Sequence, residues 1–155
     1  MGLSLKEHGR MEEAIGHFLQ ALRIKPDYEE AHNNLGIAKY MQGRTREAIG
    51  HFLQALRIKP DDEKVHNNLG NALDGQGRID EAIKHYLLAL RIKPDFANAH
   101  NNLATTLLRK GNIDGAIAHF RKALQINPDY INAKNNLERV LMMQRQNKRR
   151  NRLLP

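Results

Sequence analysis

The 155-residue chain contains no cysteine. Disulfides, thiol catalysis and thiolate metal sites are therefore excluded, although the absence does not decide the compartment. No apolar run approaches the ~18 residues a membrane-crossing helix needs. The opening stretch Met1-Gly2-Leu3-Ser4-Leu5-Lys6-Glu7-His8 has no signal-peptide core. Aromatic residues make up only 5% of the chain, and none interleaves with the basic residues near the C-terminus to stack on bases. No glycine-rich phosphate loop, HExxH pattern or nucleophile elbow occurs, and the acidic residues form no recurring pair. No catalytic residue, cofactor or metal is expected.

What is present points to helices and to a balanced body. Leu, Ala, Ile and Lys dominate, as in helical proteins. The net charge of +8 hints at nucleic acid until its distribution is read. Arg145, Lys148, Arg149, Arg150 and Arg152 supply five of those charges within a short C-terminal stretch that lacks acids. Such a tail can meet anionic lipid or nucleic acid, but a solvated tail suffices to explain it. No nucleic-acid partner and no membrane insertion are expected. The chain is expected to be soluble and cytoplasmic, or periplasmic if it is part of a larger membrane protein.

The sequence repeats every 34 residues. EAIGHFLQALRIKPD stands at Glu13–Asp27 and again at Glu47–Asp61. ALRIKPD returns at Ala89–Asp95, and ALQINPD at Ala123–Asp129. A period of this length means stacked supersecondary units. Each unit reads as two helices, A over about Glu30–Gln42 and B over about Arg46–Ile58 in the first complete unit. Gly43, with Gly9, Gly77 and Gly111 in register, stands where helix A must stop, because glycine accepts a left-handed backbone. Thr45, Asp80 and Asp114 are placed to cap helix B, and the Asp after each unit-closing proline to cap the next helix A. Asp27 and Glu30 have capping-box spacing. Ala48, Ile49, Phe52, Ala55, Leu56 and Ile58 form one apolar helix face.

Leu35-Gly36, Ala48, Phe52, Ala55 and Pro60 resemble the signature of the tetratricopeptide-repeat family. So do Leu69-Gly70, Ala82, Tyr86, Ala89 and Pro94, and Leu103-Ala104, Ala116, Phe120, Ala123 and Pro128. His32, His66 and His100 stand where that family often has Trp. The resemblance implies an all-α, right-handed superhelical solenoid of stacked helix-turn-helix units. Those units are expected at 29–62, 63–96 and 97–130, after a truncated unit at 1–28. A capping helix is expected at 131–146, with Ala133, Leu137, Val140 and Leu141 inward and Glu138 solvating its end. A basic tail without structure is expected at 147–155. Met1 reads as a start inside a longer array.

Along helix A at about 100° per residue, Ala31, Leu35 and Ala38 share the buried side. Glu30, Asn33, Asn34, Ile37 and Met41 share the other, which the resemblance implies lines a concave groove. Lys64, Asn67, Asn68, Asn71, Asn101, Asn102, Asn135 and Asn136 extend that face. Asn is a poor mid-helix residue, so its recurrence asks for a reason. An amide both donates and accepts, and can bond a peptide main chain of any sequence; one amide of each pair can instead bond the neighbouring repeat. On the groove alternative, replacing Asn33, Asn67 and Asn101 by Ala weakens binding and leaves stability nearly intact. The pattern resembles the asparagine ladder in the repeats of O-linked N-acetylglucosamine transferases, with Asn34, Asn68, Asn102 and Asn136 at the ladder position. The family's carboxylate clamp needs Lys and Arg in the groove, where this chain has mainly Asn.

Other recurring residues have plainer explanations. His17, His51, His85 and His119 on helix B, with His32, His66 and His100 on helix A, lie 34 or 19 residues apart and suit packing better than metal. A pH effect through partly buried histidine stays open. Arg23/Lys25, Arg57/Lys59 and Arg91/Lys93 suit the helix dipole. The expected function is a scaffold holding an extended polypeptide in the groove. The alternatives are self-assembly, or an accessory arm of a larger glycosyltransferase-type membrane protein. The incomplete first unit should leave Ala14, Ile15, Phe18, Ala21 and Leu22 partly uncovered, giving a homodimer through that end.

Overall fold

The computed structural model describes residues 5–152, with side-chain surroundings for residues 9–146. Eight α-helices follow one another: α1 (Leu5–Ile24), α2 (Glu29–Met41), α3 (Thr45–Ile58), α4 (Glu63–Gly75), α5 (Ile79–Ile92), α6 (Ala97–Arg109), α7 (Ile113–Ile126) and α8 (Ile131–Arg152). No strand occurs among the described residues. Each helix packs on the next. In addition α2 meets α4, α4 meets α6 and α6 meets α8, whereas the backbones of α3, α5 and α7 do not approach one another as closely. The stack is therefore tighter on the side of the even-numbered helices, and curves around them.

The core repeats with the sequence. Leu35, Leu69 and Leu103 are buried, with Phe52, Tyr86 and Phe120 opposite them and Ala48, Ala82 and Ala116 between. A Cβ on Gly36 would lie 2.6 Å from Phe52 Cε1, and one on Gly70 2.6 Å from Tyr86 Cε1. Glycine thus sets the close approach of the two helices in those units, while the third places Ala104 there. Gly43, Gly77 and Gly111 adopt φ of +76°, +75° and +85°. The next residue in each case donates its N–H five residues back, from Arg44 to Lys39, Arg78 to Leu73 and Asn112 to Leu107. These closures satisfy carbonyls that would otherwise be orphaned at the helix end.

Several local expectations are corrected. Gly9 ends no helix; α1 runs through it from Leu5 to Ile24. Among the described residues nothing lies within 4 Å of the place a Gly9 Cβ would take, so no close packing rewards a turn there. Thr45, Asp80 and Asp114 lie inside the first turns rather than at the caps. Arg44 and Arg78 hold the capping positions and grip Glu47 and Glu81 with paired bonds of 2.6–2.7 Å. Asn112 caps α7 through Gly115 N–H at 2.9 Å. On the even helices the cap falls one residue after the expected Asp: Asp62 accepts from Lys64 and Val65 N–H, while Tyr28 and Phe96 occupy the same position. Asp27 therefore forms no capping box; Glu30 accepts instead from the Tyr28 hydroxyl.

At the other end α8 continues to Arg152, past the expected limit at 146. No proline or glycine interrupts residues 131–152, and Gln, Arg and Lys sustain a helix well. Residues 153–155 of the expected tail lie outside the described residues. Ala133 and Val140 are buried against α7, Leu137 and Leu141 pack beside them, and Glu138 is exposed.

Candidate functional site

The concave side is built from α2, α4 and α6, and most of the sequence-selected residues meet there. A depression of about 580 Å³ is lined by Glu30, Asn33, Asn34, Ile37, Lys64, Asn67 and Asn68. Glu29, Asp62, Phe96 and Asn98 complete its wall. A second depression of about 330 Å³ follows along the groove, with Asn71, Asn101 and Asn102 beside Tyr40, Asp74 and Thr105. Met41 belongs to neither. It is 55% exposed and borders an apolar hollow of about 450 Å³ formed with Met11, Phe18 and Ile37. Asn34 borders both this hollow and the first depression. Asn135 is exposed on α8, and Asn136 accepts from Arg139 on its own helix; neither lines these depressions.

Asn98 and Thr105 were missed in the sequence although their columns were visible. Asn98 repeats the position of Glu30 and Lys64, and Thr105 that of Ile37 and Asn71. Phe96 carried a weaker signal, sharing its column with Tyr28 and Asp62. The column three residues earlier reaches it: Lys25 lies over the Tyr28 ring, Lys93 over the Phe96 ring, and Lys59 pairs with Asp62 at 2.7 Å. These lysines thus have specific partners beyond the helix dipole.

The two amides of each pair differ in surroundings. Asn68 Nδ2 donates to Asn33 Oδ1 at 3.1 Å, and Asn102 Nδ2 to Asn67 Oδ1 at 3.1 Å. The second Asn of one unit therefore bonds the first Asn of the unit before. Asn102 also donates to Asn71 Oδ1 at 2.9 Å, and Tyr86 Oη donates to the same oxygen at 2.9 Å. Asn67 and Asn101 are only 6% and 7% exposed. Mutating these first amides without loss of stability, as the sequence suggested, is thus no longer expected. Asn67→Ala should cost about 1–2 kcal/mol, measured by urea unfolding, because it strips a buried bond between units. Asn101→Ala should cost less, since Asn101 Oδ1 is buried with no hydrogen-bond partner among the described residues. Equal losses at both positions would show that the inter-unit bond contributes nothing.

Acidic groups crowd one end of the groove. Burial and the nearby Asp62 carboxylate raise the pKa of Glu29. Lys59 and the two capping N–H groups overcome the burial of Asp62 and hold its pKa below the usual range. Lys64 is the cation that lines the first depression.

Between the two helices of each complete unit, histidines 19 residues apart meet through Nδ1. The separations are 3.3 Å for His32–His51, 3.0 Å for His66–His85 and 2.9 Å for His100–His119. No group of three or more His, Asp or Glu side chains suited to a metal occurs among the described residues. No described helix is long and apolar enough to cross a membrane.

Family models described as tetratricopeptide repeat and TPR repeat match residues 67–131, and 2–43 with 40–77. No curated protein matches the chain. Among solved structures, the Pseudomonas aeruginosa protein PilF superposes with a TM-score of 0.83 at 25% identity, over 90% of this chain and 64% of PilF. MamA is similar with a TM-score of 0.74 at 18% identity, over 96% of this chain and 99% of its own. The first TPR of Spaghetti (RPAP3), bound to the HSP90 peptide SRMEEVD, gives 0.73 at 16% identity, over 75% of this chain and 92% of its own.

Proposed function

This chain belongs to the tetratricopeptide-repeat family, and from that premise we propose that it is a protein-interaction scaffold holding an extended polypeptide segment along α2, α4 and α6. The supporting observation is the two amide-lined depressions on that side, one with Glu30, Asn34 and Asn68 and the other with Asn102 and Thr105. Their polar groups are dominated by neutral amides, which bond main chain without selecting a charged side chain. No reaction is assigned to the chain.

The Spaghetti neighbour holds an acidic peptide. Here Glu29, Glu30 and Asp62 face the groove with Lys64, so a strongly acidic ligand meets repulsion. Selection of random linear peptides on the immobilised protein tests both points. Enriched sequences should compete with one another, and SRMEEVD should compete poorly. Enrichment of acidic C-terminal peptides would reverse the charge assignment. Failure to enrich any linear peptide would overturn the proposal.

A second possibility, self-association through the first unit, is favoured by exposed apolar surface on α1. Ile24 is 80% and Leu19 46% exposed, and the hollow at Met11, Phe18, Ile37 and Met41 is mainly apolar. Two such ends meeting about a twofold axis would close the assembly. Sedimentation should then show a dimer that Met41→Glu dissociates. A monomer at high concentration would remove this possibility.

A further inference from the structure

The three histidine contacts have a defined proton arrangement that follows from their neighbours. Nε2 of His32, His66 and His100 lies 3.1, 3.0 and 3.0 Å from the carbonyl oxygens of Pro26, Pro60 and Pro94. A carbonyl only accepts, so Nε2 of each helix-A ring carries the hydrogen. Its Nδ1 is then a bare acceptor when the ring is neutral. The ring opposite, His51, His85 or His119, must donate its own Nδ1–H across the contact and keep Nε2 as a free lone pair. Each unit therefore contains a relay from helix B, through helix A, to the proline carbonyl that closes the preceding unit.

We propose that these relays form an acid-sensitive latch between helix A and helix B of every complete unit, stable while neutral and opened by successive protonation. The first proton goes to the free Nε2 of the helix-B ring, which then donates Nδ1–H as a cation and keeps the contact. The second has only Nδ1 of the helix-A ring to occupy, the atom that accepts the contact. Two N–H groups on two cations then face each other across about 3 Å, and the helices must part.

Packing opposes both protons at the His66–His85 and His100–His119 contacts, and the helix-B proton at His51. Burial is the leading cause that lowers the pKa of His51, His66, His85, His100 and His119, and for His85 it reaches about 4. The charge of the paired ring adds to this at His51, His85 and His119. Lys39 opposes a charge on His51, and Glu47 favours it. Around His66, Asp61, Asp62 and the Pro60 carbonyl favour the charge and Arg91 opposes it. At His85, Lys84 and Arg78 oppose while Glu81 favours. Lys122 opposes at His100, against the Pro94 carbonyl. The sign follows. The unfolded chain binds these protons near pH 6.5 and the folded chain only at lower pH. Stability is therefore complete above about pH 6.5 and falls as the pH drops through the folded values.

Urea unfolding at pH 7.5, 6 and 4.5 tests the latch in the full chain, with His51→Gln, His85→Gln and His119→Gln combined. Glutamine can still donate an N–H to the helix-A ring but takes up no proton. For the wild type, the His66–His85 pair should lower the folded-to-unfolded ratio at least about tenfold between pH 6.5 and 4.5, with His51, His100 and His119 acting in the same direction. The triple variant should lose more than half of that pH dependence, whereas His17→Gln, at an exposed position on α1, should lose none. An unchanged slope in the triple variant would overturn the proposal. The ring 15N shifts of the wild type at pH 7.5 give a test that needs no variant. The helix-A rings should report Nε2–H and the helix-B rings Nδ1–H. The opposite tautomers would overturn the relay.

Discussion

Tyr86→Ala is expected to remove about 3–5 kcal/mol from the unfolding free energy, the usual cost of emptying a buried aromatic site. Tyr86 is 2% exposed in the interface between α4 and α5, with its ring where a Gly70 Cβ would otherwise stand. Its hydroxyl donates to Asn71 Oδ1, which also takes Asn102 Nδ2 from the next unit. The truncation therefore opens a cavity in the middle unit and weakens its link to the unit that follows. A repeat array is a chain of nearest-neighbour couplings, so a break in the middle separates what remains into short ends. A loss of this size is a large share of the 5–15 kcal/mol or so that ordinarily holds a domain. Tyr86→Phe should cost only about 1 kcal/mol, since Phe52 and Phe120 fill the same place in the neighbouring units and only the hydroxyl bond is lost. Urea titration of both variants provides the measurement. Similar losses for Ala and Phe would mean that the amide bond, and not the ring, holds this interface.

Asn34→Trp is expected to weaken capture of a groove peptide by at least about tenfold, or ~1.4 kcal/mol, while leaving the melting temperature nearly unchanged. Asn34 is half-buried where the first groove depression meets the apolar hollow toward α1. Its counterpart in the column, Asn68, bonds Asn33 of the unit before it, whereas Asn34 borders the hollow toward α1. The residue can therefore be changed with less effect on packing, and Trp and Asn have comparable helix propensity. An indole there would fill space that an extended chain must cross. Fluorescence anisotropy with a labelled peptide from the random-library selection gives the affinity, and calorimetry the stability. Normal affinity in a stably folded variant would move the binding surface away from α2.

Much of the fold was legible because the chain states it several times. The 34-residue spacing announced a recurring pair of helices, and apolar positions such as Leu35, Phe52 and Ala55 repeated in register and are buried. Gly43, Gly77 and Gly111 ended their helices as expected, since a left-handed closing residue is a local requirement that glycine meets at little cost. Gly9 carries the same letter but lies in a continuous helix, with no described residue packed within 4 Å of the place its Cβ would take.

The candidate site divided differently between the two levels. Helical phase alone put Asn33 and Asn34, or Asn67 and Asn68, on one broad face, and identical side chains give propensity nothing to choose between them. Only the placement of one unit on the next decided that Asn67 turns inward to accept from Asn102 while Asn102 reaches back across the interface. The histidine relays belong to the same class. His66 and His85 are 19 residues apart, and their meeting depends on the antiparallel return of α5 along α4 and on the turn that brings the Pro60 carbonyl under His66. Local chemistry, repeated, specifies helices and their ends; the angle and offset at which those helices stack decide which polar atoms are buried against each other, because that geometry is the joint product of every side chain in the interface.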